Sequence, residues 1–248
     1  MMQVLSIRAF SSRARRGLRA YGFAVSAAAV LIVAAWSGRA VSQATPGAGA
    51  PSAATVTFSL DFPGSDPPRY SIAVDANGHA TYECTAKVPD SSEEQTYRTE
   101  FTVTPGNRER IFEWAKQAKY FAGQVDSGNH KLAFTGEKVL SYEDGPRSFT
   151  ARYNFSNLEP VRQLTELFQN MAGTLDYGRR LAYYHRYQKL ALDDELKRME
   201  AQAKNNELSE IQGVAPVLRE ILQDTSVINV VRARAKELIQ MGNGGGHR

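Results

Sequence analysis

The residue types best suited to bind a partner are concentrated in one segment of eleven residues, Arg179 to Lys189. This segment contains three tyrosines and four cationic side chains, and it has no acidic residue. Tyrosine and arginine are common in binding interfaces because they combine a large contact area with directional polar groups. On a helix, a candidate docking surface would be formed by Arg179, Arg180, Tyr183, Arg186 and Tyr187. The alternative is that the tyrosine rings pack on their own domain and that the arginines are solvated.

Metal and cofactor chemistry finds little support in the sequence. No two of the four histidines have metal-ligand spacing, such as a pair four residues apart on a helix. The histidines are His79, His130, His185 and His247. No nucleophile elbow, P-loop or dinucleotide-binding glycine motif is present in the sequence. We therefore predict no metal, no cofactor and no catalytic residues, although a Ser-His-Asp set assembled from distant segments stays open.

Three acidic segments have simpler explanations than catalysis. Asp75-Ala76-Asn77-Gly78 resembles a fragment of a calcium loop, but it lacks the third oxygen ligand and the distal glutamate, so a hairpin turn is predicted. Glu93-Glu94 and Asp193-Asp194-Glu195 place carboxylates side by side. Catalytic carboxylates need a partly buried site that perturbs their pKa, so both clusters are predicted to be solvated.

The composition predicts a folded globular protein, with 42% hydrophobic and 23% charged residues. The single cysteine, Cys84, excludes a disulfide scaffold and a zinc site with several thiolates. We predict that it is a small buried residue on a strand, with an intermolecular disulfide as the alternative. The excess of basic charge lies in residues 1–44, which have six arginines and no acid, whereas the other 204 residues carry 24 basic and 26 acidic side chains. This near-neutral remainder argues against nucleic-acid binding.

Residues 1–44 have the layout of a secretory leader. An arginine-rich start precedes the charge-free apolar run Gly22 to Trp36, and Ser42-Gln43-Ala44 fits a cleavage site before Thr45. The run predicts either a cleaved signal peptide or an uncleaved N-terminal membrane anchor, and both alternatives place the rest of the chain outside the cytoplasm. Residues 45–54 are small and rich in Pro and Gly, which predicts a flexible linker.

Alternating apolar and polar residues predict β-strands from Thr55 onward. In the first strand, Val56, Phe58 and Leu60 alternate with polar side chains. The turn signal from Asp75 to Gly78 joins two further strands into a hairpin. Seven strands are predicted, around residues 55–62, 70–74, 80–84, 97–103, 131–135, 137–142 and 148–155.

Helices are predicted after the fourth and the seventh strand. Thr104-Pro105 opens the first helix, because threonine can cap a helix and proline suits its first turn. Ser156 to Glu159 fits a capping box for the second helix. The apolar stripe of that helix is Val161, Leu164, Leu167, Phe168 and Met171. The chain after Leu175 has no strand pattern and predicts three helices, the first from about 177 to 204.

These elements predict an α+β fold, in which an antiparallel sheet of about seven strands carries two packed helices and is followed by an all-helical C-terminal extension of about three helices. The predicted boundaries are 55–175 for the α+β domain, 176–243 for the helical extension and 244–248 for a disordered tail.

The hairpin segment from Pro68 to Glu83 resembles the start of an uncharacterised domain family of exported bacterial proteins. Its members have a Pro-x-Tyr strand, a glycine turn and a return strand that bears tyrosine. They continue with a helix opened by Ser/Thr-Pro, similar to Thr104-Pro105, and with an aromatic pair similar to Tyr120-Phe121. They close with a helix that contains proline, similar to that around Pro160. The resemblance covers about residues 56–173 and implies a fold and an exported location, but no activity.

The sequence therefore predicts a non-enzymatic, exported binding or structural module, located in the periplasm or otherwise outside the cytoplasm. The expected partner is an envelope protein or an acidic polymer, and membrane contact is expected only through an uncleaved N-terminal segment. One alternative is a hydrolase of envelope glycans or peptides. The other is an inhibitor of such an enzyme, which would use a protruding loop such as 122–130 or 89–95. The sequence indicates no oligomeric state.

Overall fold

An antiparallel β-sheet forms one layer of the protein and helices form the other. The computed structural model describes residues 53–129 and 131–244, which belong to one compact unit, Pro46–Arg248. The predicted leader 1–44, most of the linker 45–54 and most of the tail 244–248 lie outside the described residues. Within these limits the fold is α+β, with six strands and five α-helices, which confirms the predicted class.

The six strands of the described residues are joined in the spatial order β4-β3-β2-β1-β5-β6, and every neighbouring pair is antiparallel. The sheet thus has β1 near its centre and β4 and β6 at its edges. The strands are β1 (Thr55–Asp61), β2 (Arg69–Asp75), β3 (His79–Lys87), β4 (Glu94–Thr102), β5 (Glu137–Glu143) and β6 (Ser148–Tyr153).

The two faces of the sheet differ as the alternating sequence predicts. Along β1, Val56, Phe58 and Leu60 are buried, whereas the residues between them are half-exposed. The buried face packs against helices, and the ring of Phe58 stacks on that of Phe168 with centroids 5.4 Å apart. The other face carries mainly Thr, Ser, Ala and charged side chains, which antiparallel sheets commonly present to water.

The predicted hairpin between β2 and β3 is confirmed. Asp75 Oδ1 accepts hydrogen bonds from the backbone amides of Asn77 (2.8 Å) and His79 (2.9 Å). Gly78 has a φ of +90°, a backbone conformation that residues with a Cβ rarely adopt. The Asp75 carboxylate therefore stabilises the turn, as the sequence predicts.

The predicted strand at 131–135 is wrong, because the described residues of this segment form no β-ladder. The segment is held instead by the side chains of Asn154 and Lys138, whose Nζ donates to the Thr135 carbonyl (3.2 Å) and hydroxyl (2.9 Å). Asn154 Oδ1 accepts a hydrogen bond from the Thr135 amide (2.9 Å), and Asn154 Nδ2 donates to the Ala133 carbonyl (3.0 Å). Its apolar residues, Leu132 and Phe134, are exposed. An apolar run alone does not show whether a neighbouring strand is available for pairing.

Five α-helices lie in the described part of the chain, and short 3₁₀ turns occur at 119–121, 189–191 and 211–214. None of these helices combines the length and apolarity needed to cross a membrane. The helices are α1 (Pro105–Gln117), α2 (Glu159–Tyr187), α3 (Leu192–Lys204), α4 (Ala215–Gln223) and α5 (Asn229–Gly244).

Helix α2 is longer than predicted. Its 29 residues run through position 175, where the sequence suggested the end of the α+β domain, and its predicted apolar stripe is buried. The helix predicted at 177–204 is instead the last part of α2 followed by α3. The two are separated at Gln188, whose φ of −147° is not helical. The N-cap of α2 is Leu158, so Ser156 lies outside the helix and forms no capping box. Its hydroxyl donates to the Val125 carbonyl (2.6 Å) and accepts from the Leu158 amide (3.2 Å).

The start of α1 is held by a residue distant in sequence. Thr104 makes no side-chain cap of its own helix. Its amide and hydroxyl instead donate to the buried Glu210 carboxylate, at 2.9 and 2.8 Å, and Asn107 Nδ2 donates to the same group at 2.7 Å. A carboxylate at a helix N-terminus is stabilised by the free amide groups and by the helix dipole. Glu210 thereby connects α1 to the C-terminal helices.

Two glycines of α2 should respond in opposite ways to substitution by alanine. A Cβ at Gly178 would lie 2.6 Å from Val214 Cγ1, whereas a Cβ at Gly173 would make an ordinary contact of 3.6 Å with Leu208. We expect Gly178→Ala to destabilise the fold by about 1–2 kcal/mol, since overpacking exceeds the gain in helix propensity. Gly173→Ala should stabilise it by up to about 1 kcal/mol. Urea unfolding of both variants tests this prediction, and equal effects would contradict it.

Candidate functional site

Two of the five predicted docking residues, Arg179 and Arg180, interact with buried carboxylates of their own domain. Arg179 Nε donates to Asp176 Oδ1 at 2.8 Å, and Arg179 Nη1 donates to the Lys87 carbonyl at 2.9 Å. Arg180 also pairs with Asp176, and its Nε donates to Glu195 Oε1 at 2.6 Å. The sequence placed these arginines on a docking surface, but their guanidinium groups connect α2 to β3 and α3.

The carboxylates of this network are almost fully buried, with side-chain exposures of 2% for Asp176 and 1% for Glu195. Glu195 was predicted to belong to a solvated acidic cluster, and its burial corrects that interpretation. It also pairs with Arg198, and this hydrogen bond raises the pKa of Arg198. Burial, followed by the charge of Glu195, raises the pKa of Tyr177 to about 12. We call the charged residues of these ion pairs the α2–α3 ion network: Asp176, Arg179, Arg180, Glu195 and Arg198.

The other three predicted residues lie nearer the end of α2. Tyr183 is half-buried, and its ring centroid is 5.1 Å from that of Tyr187. Tyr187 is 62% exposed, and the guanidinium of Arg186 lies 5.3 Å from the centre of its ring. Within the described part of the chain Arg186 makes no ion pair. Leu190, in the turn that follows, is 94% exposed.

The loop between α4 and α5 is held to the end of α2 by the carboxylate of Asp224. Oδ2 of Asp224 is 2.9 Å from His185 Nε2 and accepts a hydrogen bond from Lys189 Nζ at 2.6 Å. Lys189 Nζ also donates to Ser226 Oγ at 2.6 Å. The hydrogen bonds from Lys189 and from Ser226 hold the pKa of Asp224 well below its usual range. The side chain of Ile228, two residues further along, is 60% exposed.

We define the α2 tip as five residues at the C-terminal end of α2, in the turn after it and in the α4–α5 loop. Tyr183 is half-buried and the other four are exposed: Arg186, Tyr187, Leu190 and Ile228. The sequence pattern indicated Tyr183, Arg186 and Tyr187. It missed Ile228, because the contact between the end of α2 and the α4–α5 loop joins residues more than thirty positions apart. No local pattern signals that contact.

The group around Asp224 does not have the geometry of a serine hydrolase. A triad requires the serine hydroxyl to donate to a histidine, and the histidine to be oriented by the acid. Here the Ser226 hydroxyl donates to Asp224 Oδ1 at 2.7 Å, and His185 approaches the other oxygen of the same carboxylate. Lys189 Nζ donates to both Ser226 and Asp224 and does not accept from the serine hydroxyl. The arrangement connects the end of α2 to the α4–α5 loop.

Among the described residues, no group of three or more His, Cys, Asp or Glu side chains could hold a metal ion. His79 lies beside the β2–β3 turn and His185 contacts Asp224, whereas His130 and His247 lie outside the described residues. Asp193 pairs with Lys197 and Arg234. Cys84 is buried on β3 as predicted, and burial raises the pKa of its thiol. The sulfur therefore favours the neutral form and lies away from solvent.

Comparison of the sequence with models of protein families and with curated proteins gives no match.

Proposed function

We propose that this protein is an exported, non-enzymatic binding module that docks a component of the cell envelope through the α2 tip. The observation that carries the proposal is the exposure of three large side chains, Tyr187 and Leu190 at the end of α2 and in the turn after it, and Ile228 in the α4–α5 loop, which the Asp224 hydrogen bonds join to them. Export is inferred from the arginine-rich leader and its apolar run.

The chemistry of the tip supports docking. A cluster of apolar side chains on a soluble surface commonly marks an interaction site, whereas single exposed apolar residues are ordinary. The tyrosine pair and Arg186 are of the types that dominate binding energy in interfaces. The groups beneath them are fixed, since the α2–α3 ion network and Asp224 restrain the last turns of α2. A surface that is already ordered loses less conformational entropy on binding.

A binding role is also favoured over the hydrolase alternative. Within the described part of the chain, the Ser226 hydroxyl donates to Asp224 and accepts from Lys189, and it makes no hydrogen bond to a histidine. The carboxylates of the α2–α3 ion network are buried and paired with arginines of their own domain.

The proposal is tested by capture from envelope extract on the immobilised full chain. We expect Tyr183→Ala/Tyr187→Ala to lower the amount of the captured component more than tenfold, since two interface tyrosines contribute a large share of affinity. The matched control is Phe134→Ala/Phe149→Ala, which removes two exposed aromatic rings elsewhere on the domain and should leave capture unchanged. Equal capture by the wild type and the tyrosine double variant, with circular dichroism showing both folded, would exclude the tip as a docking site.

A further inference from the structure

We infer that the component bound by the α2 tip is the surface of a lipid bilayer that contains anionic headgroups. This inference rests on the proposed function, because it takes the tip as the docking site and names what it docks. It departs from the sequence-based expectation that only the N-terminal segment contacts a membrane.

The exposed side chains of the tip suit the boundary between headgroups and acyl chains. Leu190 projects almost entirely into solvent, and Ile228 is largely exposed in the neighbouring loop. The transfer of exposed aliphatic side chains from water to the acyl region lowers the free energy. The ring of Tyr187 is apolar, whereas its hydroxyl is polar, and such rings concentrate at the headgroup level. Interfacial elements reach only about 5–10 Å into the bilayer, so loops of this size can make the contact without a spanning helix.

The charges around the tip favour anionic lipids over a neutral surface. Arg186 is exposed and contacts the Tyr187 ring rather than a carboxylate. Three aspartates near the tip, in contrast, have cationic partners. Asp224 contacts Lys189 and His185, Asp193 pairs with Lys197 and Arg234, and Asp194 lies 3.5 Å from Lys197. The tip thus presents apolar groups beside Arg186, which has no acidic partner among the residues that the structure describes, and anionic headgroups attract such a combination.

A fluorophore at the tip reports this contact directly. Cys84 is the only cysteine of the chain and is buried, so Leu190→Cys in the full chain provides one accessible thiol for an environment-sensitive dye. The matched control is Glu100→Cys, at an exposed position of β4 on the polar face of the sheet. Because the dye senses only its own surroundings, any attachment of the N-terminal apolar run to the vesicles does not decide the result.

We expect phosphatidylglycerol-containing vesicles to shift the emission of the dye at position 190 to the blue and to leave the dye at position 100 unchanged. Vesicles of phosphatidylcholine alone should give a much smaller shift. Arg186→Gln in the labelled chain should lower the ratio of immersed to free dye about fivefold, since one cation near such a surface contributes about that factor. Tyr187→Cys provides a second labelling position if the dye at 190 perturbs the fold.

The outcomes separate this inference from the proposed function. If anionic vesicles leave both tip dyes unshifted while the tyrosine double variant still loses capture, the lipid inference is wrong and the tip docks a protein. If the dyes do not shift and the double variant captures normally, both proposals fail. Equal shifts at positions 190 and 100 would also overturn the lipid inference, because the contact would then not be specific to the tip.

Discussion

Replacing Asp176 with asparagine should lower the free energy of unfolding by about 3–5 kcal/mol. The carboxylate is 2% exposed and pairs with both Arg179 and Arg180, which are themselves mostly buried. Asparagine has nearly the same shape, so the substitution removes the negative charge and leaves two guanidinium groups without it. Breaking a buried pair from one side is costly because the remaining charge stays desolvated. Urea unfolding at neutral pH measures the loss.

Helix α2 supplies a matched control for this variant. Glu159 and Arg162 form a second pair with the same three-residue spacing, but both side chains are about half exposed. We expect Glu159→Gln to change the free energy of unfolding by less than about 1 kcal/mol, as is usual for surface ion pairs. If the two variants lose similar stability, the α2–α3 ion network is not the rigid support described above.

Alkaline pH should unfold the protein steeply. Burial is the main cause that raises the folded-state pKa of four tyrosines: Tyr70, Tyr82, Tyr153 and Tyr177. Because each folded-state pKa lies above the unfolded value near 10, the stabilisation is complete below pH 10 and is lost as the pH rises further. Each tyrosine contributes about 1.4 kcal/mol per pH unit, so four together contribute up to about 5 kcal/mol per unit.

Denaturant unfolding at pH 9, 10 and 11 measures this loss, and tyrosinate absorbance should rise together with unfolding for the buried rings. Tyr82→Phe should reduce the slope by about a quarter. At neutral pH it should be neutral or stabilising by up to about 1 kcal/mol, because the Tyr82 hydroxyl has no nitrogen or oxygen partner among the described residues and adjoins only the weakly bonding Cys84 thiol. Tyr187→Phe, at an exposed ring, should leave the slope unchanged. A gradual alkaline titration of all tyrosines without unfolding would contradict the prediction.

The sheet could largely be predicted from the sequence, because each of its strands carries a local signal. Alternation places Val56, Phe58 and Leu60 on one face, and the β2–β3 turn depends on Asp75 and Gly78 within the turn itself. The error at 131–135 arises from a contact with Asn154, nineteen positions beyond Thr135. Strand pairing depends on a partner that the pattern of one segment does not reveal.

The candidate site was predicted only in part, for a similar reason. The Tyr-Arg composition of 179–189 indicates a candidate surface, but composition does not separate arginines that face solvent from arginines that face a carboxylate. Asp176 lies in the preceding turn of the same helix, so a spacing of three and four residues from it was available as a signal for Arg179 and Arg180. Glu195 offered no such signal, since it reaches Arg180 from the next helix.

The length of α2 has a consequence for how the molecule can be divided. A straight helix of 29 residues is about 44 Å long, and here its first half lies under the sheet while its last turns hold the tip. Cleavage near residue 175 would cut the helix that both parts of the molecule share and would expose apolar surface on both fragments. We therefore expect a protease to degrade the two halves together rather than to release a durable helical piece, and a load applied at the tip would be transmitted to the strands.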